Sequence, residues 1–352
     1  MSGRSHAVEE RPLEEGAFLA AGATLGHAWA AVRSTRSPIL AVELSGGSVG
    51  AVSALAIRVA LQSLRDPQSP VAELVEPRLV VSGFAAAEFR LFADRTLPAV
   101  LIQTDGAGPR VAARVVAPIR DAVVMAGGFG KRLRPLTDDL PKPLLAIGGE
   151  PLLCRLLHQL KDAGVERVAI SVHYLADKVR DAVGDGSAFG LEVRYLEEDS
   201  PLGTGAGISL LGAVEGPFFL VNGDILTDLD LVAFGAHHQL HGLTATVATY
   251  LYTAPLPYGV VHHDAESGAI GVIEEKPVYR YPINAGIYAF SRDVLELVEP
   301  GAPLAMVDFL NDQAGRVPVG RFPLVEYWND VGSHEDFERA QQDIEALRAG
   351  SR

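Results

Sequence analysis

Four apolar residues, Ala122-Val123-Val124-Met125, run without a break into Ala126-Gly127-Gly128-Phe129-Gly130-Lys131-Arg132. An uninterrupted apolar run of this length reads as a strand buried on both faces, and such strands belong to parallel sheets covered by helices. Glycines at its end let backbone N–H groups approach a phosphate closely, and the cations behind them neutralise it. In sheets of this kind ligands lie at the carboxyl ends of the strands. Two familiar phosphate loops do not fit. A GxxxxGK[ST] loop needs glycine where Met125 stands and serine or threonine at Arg132, and a GxGxxG fingerprint needs glycine or alanine at Leu133.

The same texture continues downstream. Pro151 opens a helix whose Leu152, Leu153, Leu156, Leu157 and Leu160 share one face, and Gly164 ends it. Strands are expected at 168–172, 191–196, 218–221, 243–252, 259–262, 269–274, 285–291 and 316–323. Helices are expected at 177–183, at 206–211 and in an amphipathic tail over 334–348. The predicted fold is α/β, a Rossmann-like mixed, mostly parallel sheet with helices on both faces. A small α+β domain precedes it, with strands at 39–43, 49–53, 97–103 and 110–116, helices at 54–64 and 85–93, and a turn at 105–108. Ser82 is the expected cap of the second helix. The pattern "apolar strand, glycine turn, apolar strand" occurs twice there and suggests an internal repeat. Residues 1–37 read as a leader or linker that becomes helical over 14–31, residues 38–118 as the front domain, and residues 119–352 as the main α/β domain.

Composition narrows the function. The net charge of −14 excludes a protein that coats nucleic acid, which needs broad basic surface. No apolar run is long enough for a membrane span, and the acidic start lacks the features of a secretory signal. Cys154 is the sole cysteine, so neither an intrachain disulfide nor a cysteine zinc site is available, and a reducing cytoplasm is the expected location. Five lysines stand against 25 arginines. One of them, Lys142, lies between Pro141 and Pro143, which fix the backbone around its ammonium. His237, His238 and His241 have no second ligand group at metal spacing and are expected at a surface or helix end. Asp228 and Asp230 are expected to cap the helix that follows them.

The stretch GGxGxRLxPLT…PKPLL over 127–145 resembles the opening of the sugar-1-phosphate nucleotidyltransferases. Pro201-Leu202-Gly203-Thr204-Gly205, Asn222-Gly223-Asp224, Tyr258-Gly259-Val260-Val261, Glu274-Glu275-Lys276-Pro277, Asn284-Ala285-Gly286 and Trp328-Asn329-Asp330-Val331-Gly332 resemble its later motifs in order. The likeness covers about residues 120–346. It implies an enzyme joining a nucleoside triphosphate to a sugar 1-phosphate with release of pyrophosphate. By that resemblance Arg132 holds the departing pyrophosphate and Lys142 the α-phosphate. Gly127, Gly128, Gly130, Glu198, Gly203 and Thr204 line the nucleotide side. Gly259, Glu275, Lys276 and Asn284 line the sugar-phosphate side. Asp224 and Asp330 are the expected metal ligands, because a carboxylate beside a polyphosphate is repulsive unless a cation such as Mg2+ lies between them.

Glu198 offers an acceptor pair to the N1–H and N2–H2 edge of guanine, which favours GTP. The acceptor is expected to be a sugar or cyclitol 1-phosphate. The degenerate front domain and the arginine-rich composition suit a specialised pathway such as antibiotic biosynthesis, and by resemblance the acceptor implied is valienol 1-phosphate, with mannose 1-phosphate or an amino-sugar 1-phosphate as the alternative. A non-catalytic regulatory subunit that binds nucleotide-sugars is the other reading. The front domain resembles a degenerate pair of cystathionine-β-synthase-type (CBS) repeats. It keeps Gly50 and Ser53 of the ligand motif but has Ala56 in place of aspartate. It is expected to serve dimerisation or stability, and the protein is expected to be a homo-oligomer.

Overall fold

The computed structural model describes residues 7–103, 109–264 and 266–350. The chain opens with strand β1 (Val8–Pro12), and two copies of one unit follow. The first is β2 (Phe18–Leu19), helix α1 (Leu25–Thr35), β3 (Ile39–Glu43) and β4 (Val49–Ser53), then α2 (Ala54–Gln62). The second is β5 (Val80–Val81), α3 (Phe84–Ala93), β6 (Ala99–Ile102) and β7 (Arg110–Arg114). In each unit the first strand pairs parallel with the second, and the second pairs antiparallel with the third. The two units share a core in which Ile39, Ala41 and Ala51 meet Val100, Leu101 and Val111.

The expected leader is corrected here. β1 pairs antiparallel with β7, a hundred residues away, and the helix spans 25–35 rather than 14–31. Thr24 sets its start by accepting the His27 N–H, while His27 reaches back to the Thr24 N–H. β1 carries the sequence VEERP and lies at the sheet edge, so no apolar period marks it. Ser82 does not cap α3, which begins after Gly83 without a side-chain cap. The turn expected at 105–108 lies outside the described residues. Ser53 is spent locally: it caps α2 through the Ala56 N–H and donates to Glu76.

The second part holds β8 (Asp121–Met125), the short pair β9 (Ala146–Ile147) and β10 (Glu150–Pro151), α4 (Leu152–Asp162), β11 (Arg167–Val172), α5 (Ala176–Val183), β12 (Glu192–Glu197) and α6 (Ala206–Leu211). β13 (Phe218–Asn222), β14 (Ile225–Thr227), α7 (Leu231–Leu240), β15 (Ala245–Pro255), β16 (Val260–His263), β17 (Ile270–Glu274) and β18 (Val278–Phe290) come next. α8 (Met306–Gln313), β19 (Val319–Leu324), β20 (Trp328–Asp330) and α9 (His334–Gly350) complete it. Seven strands form the main sheet in the order β12-β11-β8-β13-β18-β15-β19, and β18 alone in that sheet runs against its neighbours. Successive side chains of β8 serve opposite faces. Ala122 and Val124 pack under α4, α5 and α7, while Val123 packs under α6 and α8. This is the mixed, mostly parallel α/β sheet that the sequence predicts. Phe218, Phe219, Phe234 and Phe290 are fully buried, each stabilising by roughly 1.5–3 kcal/mol.

Two features depart from expectation. The strand expected at 285–291 begins at Val278, seven residues earlier. Pro282 argues against a strand from sequence alone, yet it pairs with Leu251 as β15 and β18 run on together beyond the sheet. This two-stranded arm carries the β16–β17 hairpin, which exposes Val261, Ile270, Val272 and Ile273. Where arm meets sheet the ladder breaks: Val247 faces Tyr288 and Thr249 faces Asn284, so β18 advances four residues while β15 advances two. The second departure is α7. Asp230 caps it through the Ala233 N–H, and Asp228 lies ahead of the cap. His237 and His238 fall in the last turn of α7 and His241 is its C-cap, the helix end expected, and His238 is buried there because its turn faces the sheet at Thr246.

The two parts meet through α2. Arg58, 2% exposed, grips Glu326 with two hydrogen bonds of 2.6 and 2.5 Å and lies over the rings of Trp29 and Phe322. Gln62 donates to the carbonyls of Thr249 and Leu324 and accepts from Arg321.

Candidate active site

At the carboxyl edge of the main sheet, β8 ends in Met125 and the chain turns outward through the glycines. Gly128, Phe129, Lys131 and Arg132 are exposed. Nothing lies within 4 Å of where a Gly128 Cβ would sit, so the turn is open to a ligand. Gly127 and Gly130 are glycine for reasons of space. A Cβ on Gly127 would come 3.1 Å from Glu198 Oε1. One on Gly130, where φ is +60°, would come 3.0 Å from Thr137 and 3.3 Å from the Lys142 Cβ. Thr137, fully buried, donates to the Gly130 carbonyl and pins the turn. The Lys131 ammonium lies 5.3 Å from the Phe129 ring centre, and Phe129 in turn packs against His173 and Tyr174.

β13 ends beside β8, and Gly223 N–H donates to the Met125 carbonyl. Asp224 follows at once. β14 pairs with β20 so that Ile225 faces Asp330, which brings the two carboxylates to one place. Lys142 enters from the Pro141–Pro143 turn and sits between them, with Nζ 2.5 Å from Asp224 Oδ2 and 3.3 Å from Asp330 Oδ1. Burial and the Asp224 charge push the Asp330 carboxyl up, opposed by Lys142 and Arg132. Arg132 stands close by, its Nη2 being 3.8 Å from the Cβ position of Gly332. Asp224, Asp330, Lys142, Arg132 and the glycine turn therefore form one group. Its donor set suits Mg2+, which takes one or two carboxylates and completes its shell with phosphate oxygens. No group of three or more His, Cys, Asp or Glu with metal geometry occurs among the described residues.

The other expected residues are placed as follows. Glu198 is buried at the end of β12. One of its oxygens accepts from the Ser171 hydroxyl, and Oε2 accepts from Leu202 N–H at 3.0 Å. A carboxylate has about four acceptor sites, so capacity remains. Gly203, at φ +99°, lies against the Leu304 carbonyl, and Thr204 accepts the Met306 N–H at the start of α8, so both anchor the 201–205 loop. Asn284 also works within the chain. Its Oδ1 accepts the Gly286 N–H and its Nδ2 donates to the Tyr288 hydroxyl. Gly259, Glu275 and Lys276 lie on the exposed arm, with Glu275 Oε2 3.1 Å from the Cβ position of Gly259.

Several participants escaped sequence reasoning. Ser171 and His173, at the end of β11, hold Glu198 through its side chain and its carbonyl. Polar residues ending a buried strand at the ligand edge are a readable signal. Trp328 stacks on Tyr250 and donates its indole N–H to the Ala285 carbonyl, which the ladder break releases. No sequence pattern announces that bond.

Residues 121–346 match the family model described as nucleotidyl transferase. A mannose-1-phosphate guanylyltransferase of Mycobacterium tuberculosis is 35% identical over 233 residues, covering 64% of this chain and 64% of that protein. A mannose-1-phosphate guanylyltransferase catalytic subunit beta of Drosophila pseudoobscura pseudoobscura is 34% identical, covering 61% and 60%. The chain thus spans less than two thirds of the length of these curated relatives. Among solved structures, HddC from Yersinia pseudotuberculosis is similar at 28% identity with a TM-score of 0.51, over 64% of this chain and 100% of that one. The same protein complexed with GMP-PN gives equal values. Among the described residues no helix is long and apolar enough to cross a membrane.

Proposed function

The chain belongs to the nucleotidyl transferase family, and from that premise we propose that it transfers a guanylyl group from GTP to a sugar 1-phosphate or related cyclitol 1-phosphate. One observation carries the reading: Lys142, Asp224 and Asp330 converge beside an open glycine turn at the carboxyl edge of the sheet. In the reaction an acceptor phosphate oxygen bonds to the α-phosphorus. The bond from that phosphorus to the β-bridging oxygen breaks, and its electron pair leaves with pyrophosphate. Alignment and charge neutralisation are what such chemistry asks of a protein.

The glycine turn at 127–130 receives the phosphates with backbone N–H groups, and Arg132 neutralises the departing pyrophosphate. Lys142 is within reach of the α-phosphate once released from its carboxylates. Mg2+, when bound, shields charge between the phosphates and the carboxylates of Asp224 and Asp330. Glu198 borders the turn and has acceptor capacity for the guanine edge. The guanylyltransferase relatives and the GMP-PN complex of HddC support that base. Glu275, Lys276 and Gly259 on the arm, with Asn284 at its root, make the acceptor side. For the acceptor, the relatives' names favour mannose 1-phosphate, and valienol 1-phosphate and amino-sugar 1-phosphates belong in the same panel. The CBS-like reading of the front domain rests on its repeated strand–helix–strand–strand unit.

The test is pyrophosphate release with each common nucleoside triphosphate against that acceptor panel in Mg2+. Release is expected with GTP and at least one acceptor. Asp224→Asn should lower turnover by about 10²–10³ with the circular dichroism spectrum unchanged. No release with any pair, together with tight nucleotide-sugar binding, would establish the non-catalytic regulatory reading instead.

A further inference from the structure

We propose that the Lys142 ammonium is the built-in counter-ion of the Asp224–Asp330 pair, competing with the divalent ion for one position. The free protein then binds metal weakly and takes it up fully only together with a polyphosphate. This rests on the assignment of that pair to metal under the proposed function.

The ammonium is seated between the two carboxylates, 2.5 and 3.3 Å away, and its side chain is 11% exposed. A Mg2+ ion bound to the same oxygens would lie about 2.0–2.1 Å from them. That distance puts it in the space the ammonium fills, and two cations so close repel strongly where burial weakens solvent screening. Two carboxylates and one ammonium leave a net charge of −1, and the nearby Arg132 guanidinium offsets the remainder. The described residues bring no third carboxylate or imidazole to outweigh that compensation.

The lysine stem is held at the other end. Pro141 and Pro143 flank it in a tight turn, and its Cβ lies 3.3 Å from the Cβ position of Gly130. Rotation of the side chain alone therefore carries the ammonium from the carboxylates toward the glycine turn. A triphosphate arriving there offers the ammonium a new anion and offers the metal its missing oxygen ligands. Each exchange removes the obstacle to the other. Bare metal offers the ammonium no new partner, and bare triphosphate leaves the carboxylates without a cation once the ammonium moves.

The experiment is a titration of the nucleotide-free protein with Mn2+, read by the electron paramagnetic resonance signal of the unbound ion. The proteins compared are wild type, Lys142→Met, Lys142→Gln, Asp224→Asn and the double variant Lys142→Met/Asp224→Asn. Both Lys142 variants are expected to bind Mn2+ about tenfold or more tightly than wild type, and the double variant is expected to lose that gain. Agreement of the two Lys142 variants, with unchanged circular dichroism, separates the effect from misfolding. Equal Mn2+ affinity in wild type and the Lys142 variants, lowered by Asp224→Asn in both backgrounds, would overturn the competition and leave the metal pair standing. Absence of Mn2+ binding in every variant would also overturn it. In that event the pyrophosphate release of the wild-type protein decides the function separately.

Discussion

The imidazole of His238 is 1% exposed, its Nδ1 is 2.8 Å from the Thr246 hydroxyl, and burial holds its pKa down to about 4. Unfolded, a histidine titrates near 6.5. Because the folded value is the lower one, the unfolded chain binds the proton first. Stability is fully present above about pH 6.5 and is lost as pH falls through the interval down to about 4. The buried imidazole accounts for on the order of 3 kcal/mol of that loss. Urea midpoints measured between pH 4 and 7 should show the slope, and His238→Gln should flatten it. His237 lies next to it, also lowered by burial and by the charges of His241 and His238, to about 3. It adds to the same trend at the acid end. Arg132 is the opposite kind of residue, exposed beside Asp330. Arg132→Met should leave the melting temperature in place and reduce turnover by about 10²–10³ in the pyrophosphate assay.

At the scale of the element, β18 touches the site through the strand end that leads to Asp224. Its break at 285–287 needs Gly286 at φ +70°, and a Cβ there would lie 2.6 Å from Asn222 Nδ2. Gly286→Ala therefore combines backbone strain with a clash against the strand end that leads to Asp224. A loss of about 1–3 kcal/mol in urea unfolding is expected, accompanied by slower turnover. β8, α4 and the glycine turn were legible because a buried run, a leucine stripe and a loop each declare themselves within a dozen residues. β1 and the first half of β18 were not, because their pairing is decided by distant strands: VEERP finds its partner a hundred residues on, and Pro282 is carried by β15. The site divides in the same way. Lys142, Asp224 and Asp330 were each readable from their neighbours in sequence. Their meeting follows from the β14–β20 register, and the occupation of Glu198, Thr204 and Asn284 by bonds within the chain follows from contacts no motif encodes.

For the whole molecule, the Arg58–Glu326 pair ties the front part to the segment that runs into β20. Both partners are buried, so removing one leaves the other charged and without compensation. Arg58→Met should cost about 3–5 kcal/mol by denaturant unfolding, whereas Arg58→Met/Glu326→Met should recover most of it. Deleting the front part removes Arg58 and uncovers the apolar surface that α2 packs on, so the truncated chain should melt below the intact protein in calorimetry. The front part is thus built into the body of the molecule. The interrupted ladder of β15 and β18 acts in the other direction. β19 stops pairing with β15 at Tyr250, and beyond it β15 and β18 pair only with each other and carry the β16–β17 hairpin as a projecting arm. Under the proposed function, exchanging that arm with a relative's should change which acceptor is taken while the choice of nucleoside triphosphate stays the same.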